Sequence, residues 1–176
     1  MVTLAPYVPS PPEVIKRMLT LARVGPNDVV YDLGCGDGRV LITAVRDFKA
    51  RKAVGYEINK RLYETAVREV EKYGLTERIE IFNKDMFQAD LSEATVIFLY
   101  LTTSANRKIR PKIEREALPG TRVVSHDFPV EGWKVTLKEN YRNREALYGH
   151  TIYLYTIPHA YTSERRGYGR GRIIRW

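Results

Sequence analysis

The sequence predicts an α/β fold in which five parallel β/α steps are followed by an antiparallel β-hairpin, with a helix at the N-terminus. Three observations predict it. β-branched runs alternate with helix-period segments through the middle of the chain, the mark of a parallel sheet. A glycine cluster, Gly34-Cys35-Gly36-Asp37-Gly38, follows the first such run and opens a helix. After the fifth strand the alternation stops, and residues 134–141 and 146–157 follow one another with no helix between them.

Each element has local support. Pro11 and Pro12 open the first helix, which Gly25-Pro26 ends, and Val14, Ile15, Met18, Leu19 and Ala22 fall at helical spacing. Strands are expected over residues 29–33 and 53–57, with a helix over 39–48 between them. Asn59 is an N-cap for a helix over 60–73. Leu62, Ala66, Val70 and Tyr73 share its inner face and Gly74 is its stop. Strands over 79–83 and 95–100 precede a helix over 104–118, closed by Pro119-Gly120, and a fifth strand over 121–125. Arg142-Asn143-Arg144 makes the short connection of the final hairpin.

Composition bounds the function. The chain has 176 residues, 44% of them hydrophobic, with a mean hydropathy of −0.36. That suits one domain with its own core. No run of about 18 apolar residues occurs, so no membrane contact is expected. The start, Met1 to Pro6, lacks the basic and apolar regions of a secretory leader, so a cytoplasmic protein is expected; a monomer is the separate expectation for its assembly. The single cysteine, Cys35, excludes an internal disulfide framework and a multi-cysteine zinc knuckle. His126, His150 and His159 have no cysteine or paired-acid neighbours at ligand spacing. His126-Asp127 therefore reads as a structural strand end, and no metal is expected. The formal charge is +8, and half of it sits on residues 161–176, where Arg165, Arg166, Arg170, Arg172 and Arg175 interleave with glycines. The expected division is a domain over 1–160 and a basic Arg/Gly/Tyr tail over 161–176, the tail being a candidate nucleic-acid contact. The basic run from Asn106 to Lys112 alternates with Glu114 and Glu116 and reads as a solvated helix face.

The glycine loop selects a ligand class. Its spacing is G-x-G-x-G, not the G-x-G-x-x-G dinucleotide fingerprint, and Asp32 precedes the first glycine by two residues. A carboxylate there repels a pyrophosphate. It suits S-adenosylmethionine, which carries an ammonium, a sulfonium and one carboxylate. Glu57, at the end of the second strand, is placed to accept ribose hydroxyls. Asp85, after the third, is placed to meet an adenine amino group. Cys35 reads as a small loop residue rather than a nucleophile.

These residues resemble the class I (seven-strand, Rossmann-like) S-adenosylmethionine-dependent methyltransferases, whose element order is the one above. Residues 7–14 (Tyr7-Val8-Pro9-Ser10-Pro11-Pro12-Glu13-Val14), 30–39 and 120–128 look like the aKMT-type archaeal protein lysine methyltransferases. The family pattern usually has Thr where Ser10 stands. The resemblance implies that the N-terminal segment 1–26 closes over the cofactor, that Ser10 reaches its carboxylate, and that Tyr7 borders the acceptor channel. It implies a cofactor set of Tyr7, Ser10, Asp32, Gly34, Cys35, Gly36, Gly38, Glu57, Ile58, Asp85, Met86 and Tyr100. Tyr7, Tyr100 and Thr102 are the implied catalytic residues, and Phe128 and Trp133 are channel-wall candidates with core packing as the alternative. Tyr100-Leu101-Thr102-Thr103 lacks the N/D-P-P-Y/F of enzymes acting on amides or base amines. Broad-specificity methylation of exposed protein lysines, on chromatin or other nucleic-acid-associated proteins, is the implied activity. An RNA methyltransferase using the basic tail, and a non-catalytic nucleic-acid-binding module, are the alternatives.

Overall fold

A computed structural model describes residues 7–142 and 148–162. The expected leader-free start (1–6), part of the hairpin connection (Asn143, Arg144) with Ala146, and all but the first two residues of the basic tail lie outside them. The element order is α1 (Pro12–Leu21), β1 (Val29–Leu33), α2 (Arg39–Arg46), β2 (Lys52–Tyr56), α3 (Lys60–Lys72), β3 (Ile79–Phe82), a 3-10 turn (Met86–Gln88), β4 (Val96–Leu99), α4 (Thr103–Glu116), β5 (Arg122–His126), β6 (Leu137–Tyr141) and β7 (His150–Thr156). The seven strands form one sheet in the order β3-β2-β1-β4-β5-β7-β6. β1 to β5 pair in parallel, and β7 runs antiparallel to both β5 and β6.

Side-chain alternation splits the core between the two sheet faces. Val30, Val96, Phe98, Val124 and Ile152 pack under α1 and α2. Tyr31, Ile97, Leu99, Val123 and Tyr155 pack against Ile109 and Ile113 of α4. β1 is buried at every position, as a central strand of a doubly covered sheet must be. Its neighbours β2 and β4 lie on opposite sides, so the chain reverses direction across the sheet there. Ligands of open α/β sheets bind at the strands' carboxyl ends at such a point.

Several expectations shift. Tyr73 does not face the core: it is 44% exposed and lies beneath the cations of Arg46 and Lys72. The basic face of α4 is not uniformly solvated. Asn106 is fully buried, donating through Nδ2 to Ser125 Oγ and to the carbonyls of Phe128 and Pro129. Lys112 is buried too and pairs with Glu116. Trp133 takes its core alternative, meeting Tyr155 edge-on and donating from Nε1 to Glu114. Tyr161, the first residue of the expected tail, bridges to Trp133.

Gly55 of β2 is required for close packing. A Cβ there would stand 2.6 Å from Leu41 Cδ1 and 2.7 Å from Cys35 Sγ. Gly55→Ala is expected to cost about 1–3 kcal/mol of stability in urea denaturation, the usual size of overpacking; an unchanged midpoint would show that loop and helix yield freely.

Candidate active site

The glycine loop is shaped by backbone hydrogen bonds to β2. The Gly34 and Cys35 N–H groups both donate to the Tyr56 carbonyl, at 2.9 and 3.0 Å. Gly34, Gly36 and Gly38 have φ of 95°, 56° and 80°, the left-handed region that favours glycine. Gly38 caps α2 and packs against Ala66, away from the ligand side. Glu57, just past β2, is fastened at both oxygens: Oε2 accepts from Gly36 N at 2.9 Å and Oε1 from Asn59 N at 2.8 Å. Asp85 turns one oxygen to the Phe87 N–H, capping the 3-10 turn, and the other has no hydrogen bond among the described residues.

These elements wall a crevice of about 1150 Å³, part of it open to solvent. Tyr7, Ser10, Asp32, Gly34, Cys35, Gly36, Glu57, Ile58, Asp85, Met86 and Tyr100 all line it. Asp32 is only 5% exposed, and its carboxyl has no hydrogen-bond partner among the described residues. Burial first, then the charges of Glu57 and Asp37, push it up to about 8. A buried acid without a partner, facing a cavity, fits a ligand that brings a cation. Burial, reinforced by Asp32 and Glu57, holds the Cys35 thiol well above its ordinary value. It is a small wall residue, not a nucleophile.

The N-terminal segment crosses the loop. The Tyr7 ring lies so close over Gly36 that a Cβ there would sit 2.6 Å from it. Arg39 joins the two, bonding Asp37 through Nε (3.0 Å) and Nη2 (2.6 Å) and donating to the Ser10 carbonyl at 3.3 Å. Burial pushes Asp37 upward, but the Arg39 guanidinium outweighs it and holds the carboxyl below its usual range. The sequence assigns Arg39 no role by itself; an acid and an arginine two positions apart in a glycine loop are the available signal. The Ser10 hydroxyl, expected at the cofactor carboxylate, is buried and shares a 2.8 Å hydrogen bond with His126 Nδ1.

After β4, where the acceptor is expected, Tyr100 stacks on His126 with ring centroids 3.9 Å apart, and its hydroxyl donates to Asp127 at 3.4 Å. Burial and the Asp127 charge raise its phenol to about 12. Burial and Asp37 raise Tyr7 as well. Both phenols therefore keep their protons at neutral pH. Thr102 stands off the crevice wall and caps α4 through Oγ1. Phe128 is also off the wall, with its ring 6.5 Å from that of Tyr100. Met18, Phe98 and Leu101 complete the apolar wall, and nothing in the sequence distinguishes them from ordinary core residues.

The strand order, the glycine loop at the first crossover and the acids at the carboxyl ends of β1, β2 and β3 define a class I methyltransferase. Residues 32–137 match the model of the ANTKMT methyltransferase domain, and the chain belongs to that family. It is 49% identical over 152 residues to a protein-lysine N-methyltransferase of Saccharolobus islandicus, covering 86% of this chain and 93% of that one. It is 31% identical over 129 residues to the adenine nucleotide translocase lysine N-methyltransferase of Mus musculus, spanning 73% of this chain but only 56% of that longer protein. The structure is also similar to that of an RNA methyltransferase from Salinibacter ruber in complex with S-adenosylhomocysteine. The TM-score is 0.80 at 42% identity, over 89% of this chain and 97% of that one. No helix among the described residues is long and apolar enough to cross a membrane.

Asp32→Asn separates binding from stability. Losing a charge-assisted contact of about 1.5–3 kcal/mol should weaken S-adenosylhomocysteine binding at least about tenfold. The ligand-free variant should nevertheless be more stable at pH 7.5. Between 3.8, the ordinary value, and about 8, the unfolded chain ionises Asp32 while the native state does not, so wild-type stability falls as pH rises through that window. Below it both states hold the proton and the advantage vanishes. A rise in Tm of at least about 2–4 °C at pH 7.5, the size of one kcal/mol for a domain of this length, is expected. Unchanged affinity with a lowered Tm would contradict the placement.

Proposed function

We propose that this methyltransferase is a protein-lysine N-methyltransferase of broad specificity, acting on exposed lysines of chromatin or other nucleic-acid-associated proteins. The observation that carries the lysine assignment is the 49% identity, over nearly the whole of both chains, to the Saccharolobus islandicus protein-lysine N-methyltransferase. The site supports it. Asp32 would pair the ammonium of S-adenosylmethionine and Glu57 would accept ribose hydroxyls. Ile58, Asp85 and Met86 would border the adenine, with Gly34, Cys35 and Gly36 passing beneath and Tyr7 and Ser10 above. When bound, that cofactor supplies a methyl group on a sulfonium, open to attack by a neutral amine.

The chain's own residues then have one task, to present the amine neutral and in line. Free lysine has a pKa near 10.4, so losing the proton at pH 7 costs about 4–5 kcal/mol. Tyr7 and Tyr100, both neutral, and the apolar Leu101 disfavour an incoming ammonium by desolvation, shifting lysine toward its nucleophilic form. A carboxylate at that mouth would do the opposite. Positioning and exclusion of water supply the rest of the acceleration. The protein is taken to work in the cytoplasm as a monomer. The domain over residues 1–160 carries the reaction, and the basic tail over 161–176 contacts nucleic acid near the substrate.

A second reading has its own support: the similar Salinibacter ruber structure is that of an RNA methyltransferase, and the tail is basic. Methyl-labelled S-adenosylmethionine incubated with cell extract separates them. The expected label resists nuclease, is lost on protease treatment, and runs as methyl-lysine after hydrolysis. Label removed by ribonuclease would overturn the lysine reading in favour of RNA.

A further inference from the structure

Beside the crevice, where β5 meets β7, three ligand-type side chains converge. His126 closes β5, Asp127 follows it, and His150 opens β7. His126 Nε2 lies 2.9 Å from His150 Nδ1. His150 Nδ1 is 3.2 Å from Asp127 Oδ2, and His126 Nε2 is 3.3 Å from the same oxygen. The three atoms form a nearly equilateral triangle.

Protons do not satisfy all three sides. With one proton on either nitrogen, the other imidazole's lone pair faces the carboxylate. With a proton on each, two N–H bonds oppose each other across 2.9 Å. A single cation over the triangle satisfies all three at once. For ligand bonds of about 2.0–2.2 Å, the edge of a tetrahedral or octahedral coordination face runs roughly 2.8–3.6 Å. All three observed edges fall in that range.

The outer partners of a metal site are also in place. His126 Nδ1 is held by Ser10 Oγ at 2.8 Å, so donation from Nδ1–H to that oxygen leaves Nε2 bare toward the triangle. Asp127 Oδ1 accepts from Thr151 N at 2.8 Å, and Tyr100 donates to Oδ2. Asp127 itself has φ of 60°, a strained backbone for a residue with a side chain. The strain is held by bonds from Asp127 N to Thr151 O and from Phe128 N to His126 O, both 2.7 Å.

We propose that His126 Nε2, His150 Nδ1 and Asp127 Oδ2 form a three-ligand site for one divalent transition-metal ion of the zinc and cobalt type. Two imidazoles and one carboxylate favour such ions over magnesium or calcium, which take oxygen ligands. His126 is fully buried, while the side chains of His150 and Asp127 are 20% and 28% exposed, so the remaining coordination positions are reached from the solvent side. Through Ser10 and Tyr100 the ion would brace both the N-terminal segment and the acceptor-side aromatic wall. The site does not depend on which acceptor is methylated.

The test uses the full chain, stripped with chelator and titrated with cobalt(II) chloride. Visible d–d absorption is expected to saturate at one equivalent and to be displaced by zinc(II), which should also raise the Tm. His150→Ala and Asp127→Asn should each weaken zinc binding by more than about a hundredfold, above the usual effect of losing an outer partner. His159→Ala should leave it unchanged. Circular dichroism checks that the variants fold. If one does not, the wild-type titration still decides. Absence of a one-equivalent band, its survival in either folded variant, or its loss in His159→Ala would overturn the proposal, leaving the triangle a hydrogen-bonded cluster only.

Discussion

A carboxyl group buried at the tip of a central strand, with no partner among the described residues, costs a protein stability whenever it ionises. Asp32 is such a group, and the surrounding architecture keeps it that way. Glu57 spends an oxygen each on Gly36 and Asn59, and Asp37 is tied to Arg39. Neither neutralises Asp32, and their charges raise it further. The loop can come this close only because three glycines accept left-handed φ and Gly55 leaves room for Cys35 and Leu41. The crevice is thus set to reward a cation with the stability that the empty site forgoes.

From that constraint the division of labour follows. One side of the crevice is built from strand tips and backbone N–H groups, a rigid frame that fixes the carboxylates of Asp32, Glu57 and Asp85 along its wall. The opposite side carries neutral tyrosines whose protons are held, Tyr7 by burial and Asp37, and Tyr100 by burial and Asp127. Arg39 couples the two halves by gripping the loop through Asp37 and the N-terminal segment through the Ser10 carbonyl. On the same segment, Ser10 reaches past the crevice to His126, linking cofactor and acceptor walls to the joint of β5 and β7.

Much of this was legible in the sequence because local chemistry and tertiary role coincide. Val29 to Leu33 is a continuous apolar run broken only by Asp32, and it forms β1 over those residues. Asn59 caps α3 through Oδ1, as its side chain favours. Legibility failed where the role depends on partners distant in the chain. Tyr73 has the period of a buried residue but meets cations at the surface. Asn106 sits in a charged run and is nevertheless buried, because the turn after β5 supplies carbonyls for its amide. His126 and Asp127 carry no ligand signature at their own spacing, since His150 joins them only when β7 folds back along β5. Thr102 follows β4 where an acceptor residue was expected, and its hydroxyl caps a helix instead.

The most direct test of the central claim is the proton balance of cofactor binding. With Asp32 near 8, the free site holds about 0.9 proton at pH 7, and pairing with an ammonium should expel most of it. Calorimetry of S-adenosylhomocysteine binding at pH 7, in buffers of different ionisation enthalpy, reads that release as a slope. The account predicts a release approaching one proton in the wild type and its disappearance in Asp32→Asn. Equal slopes in the two proteins would contradict it.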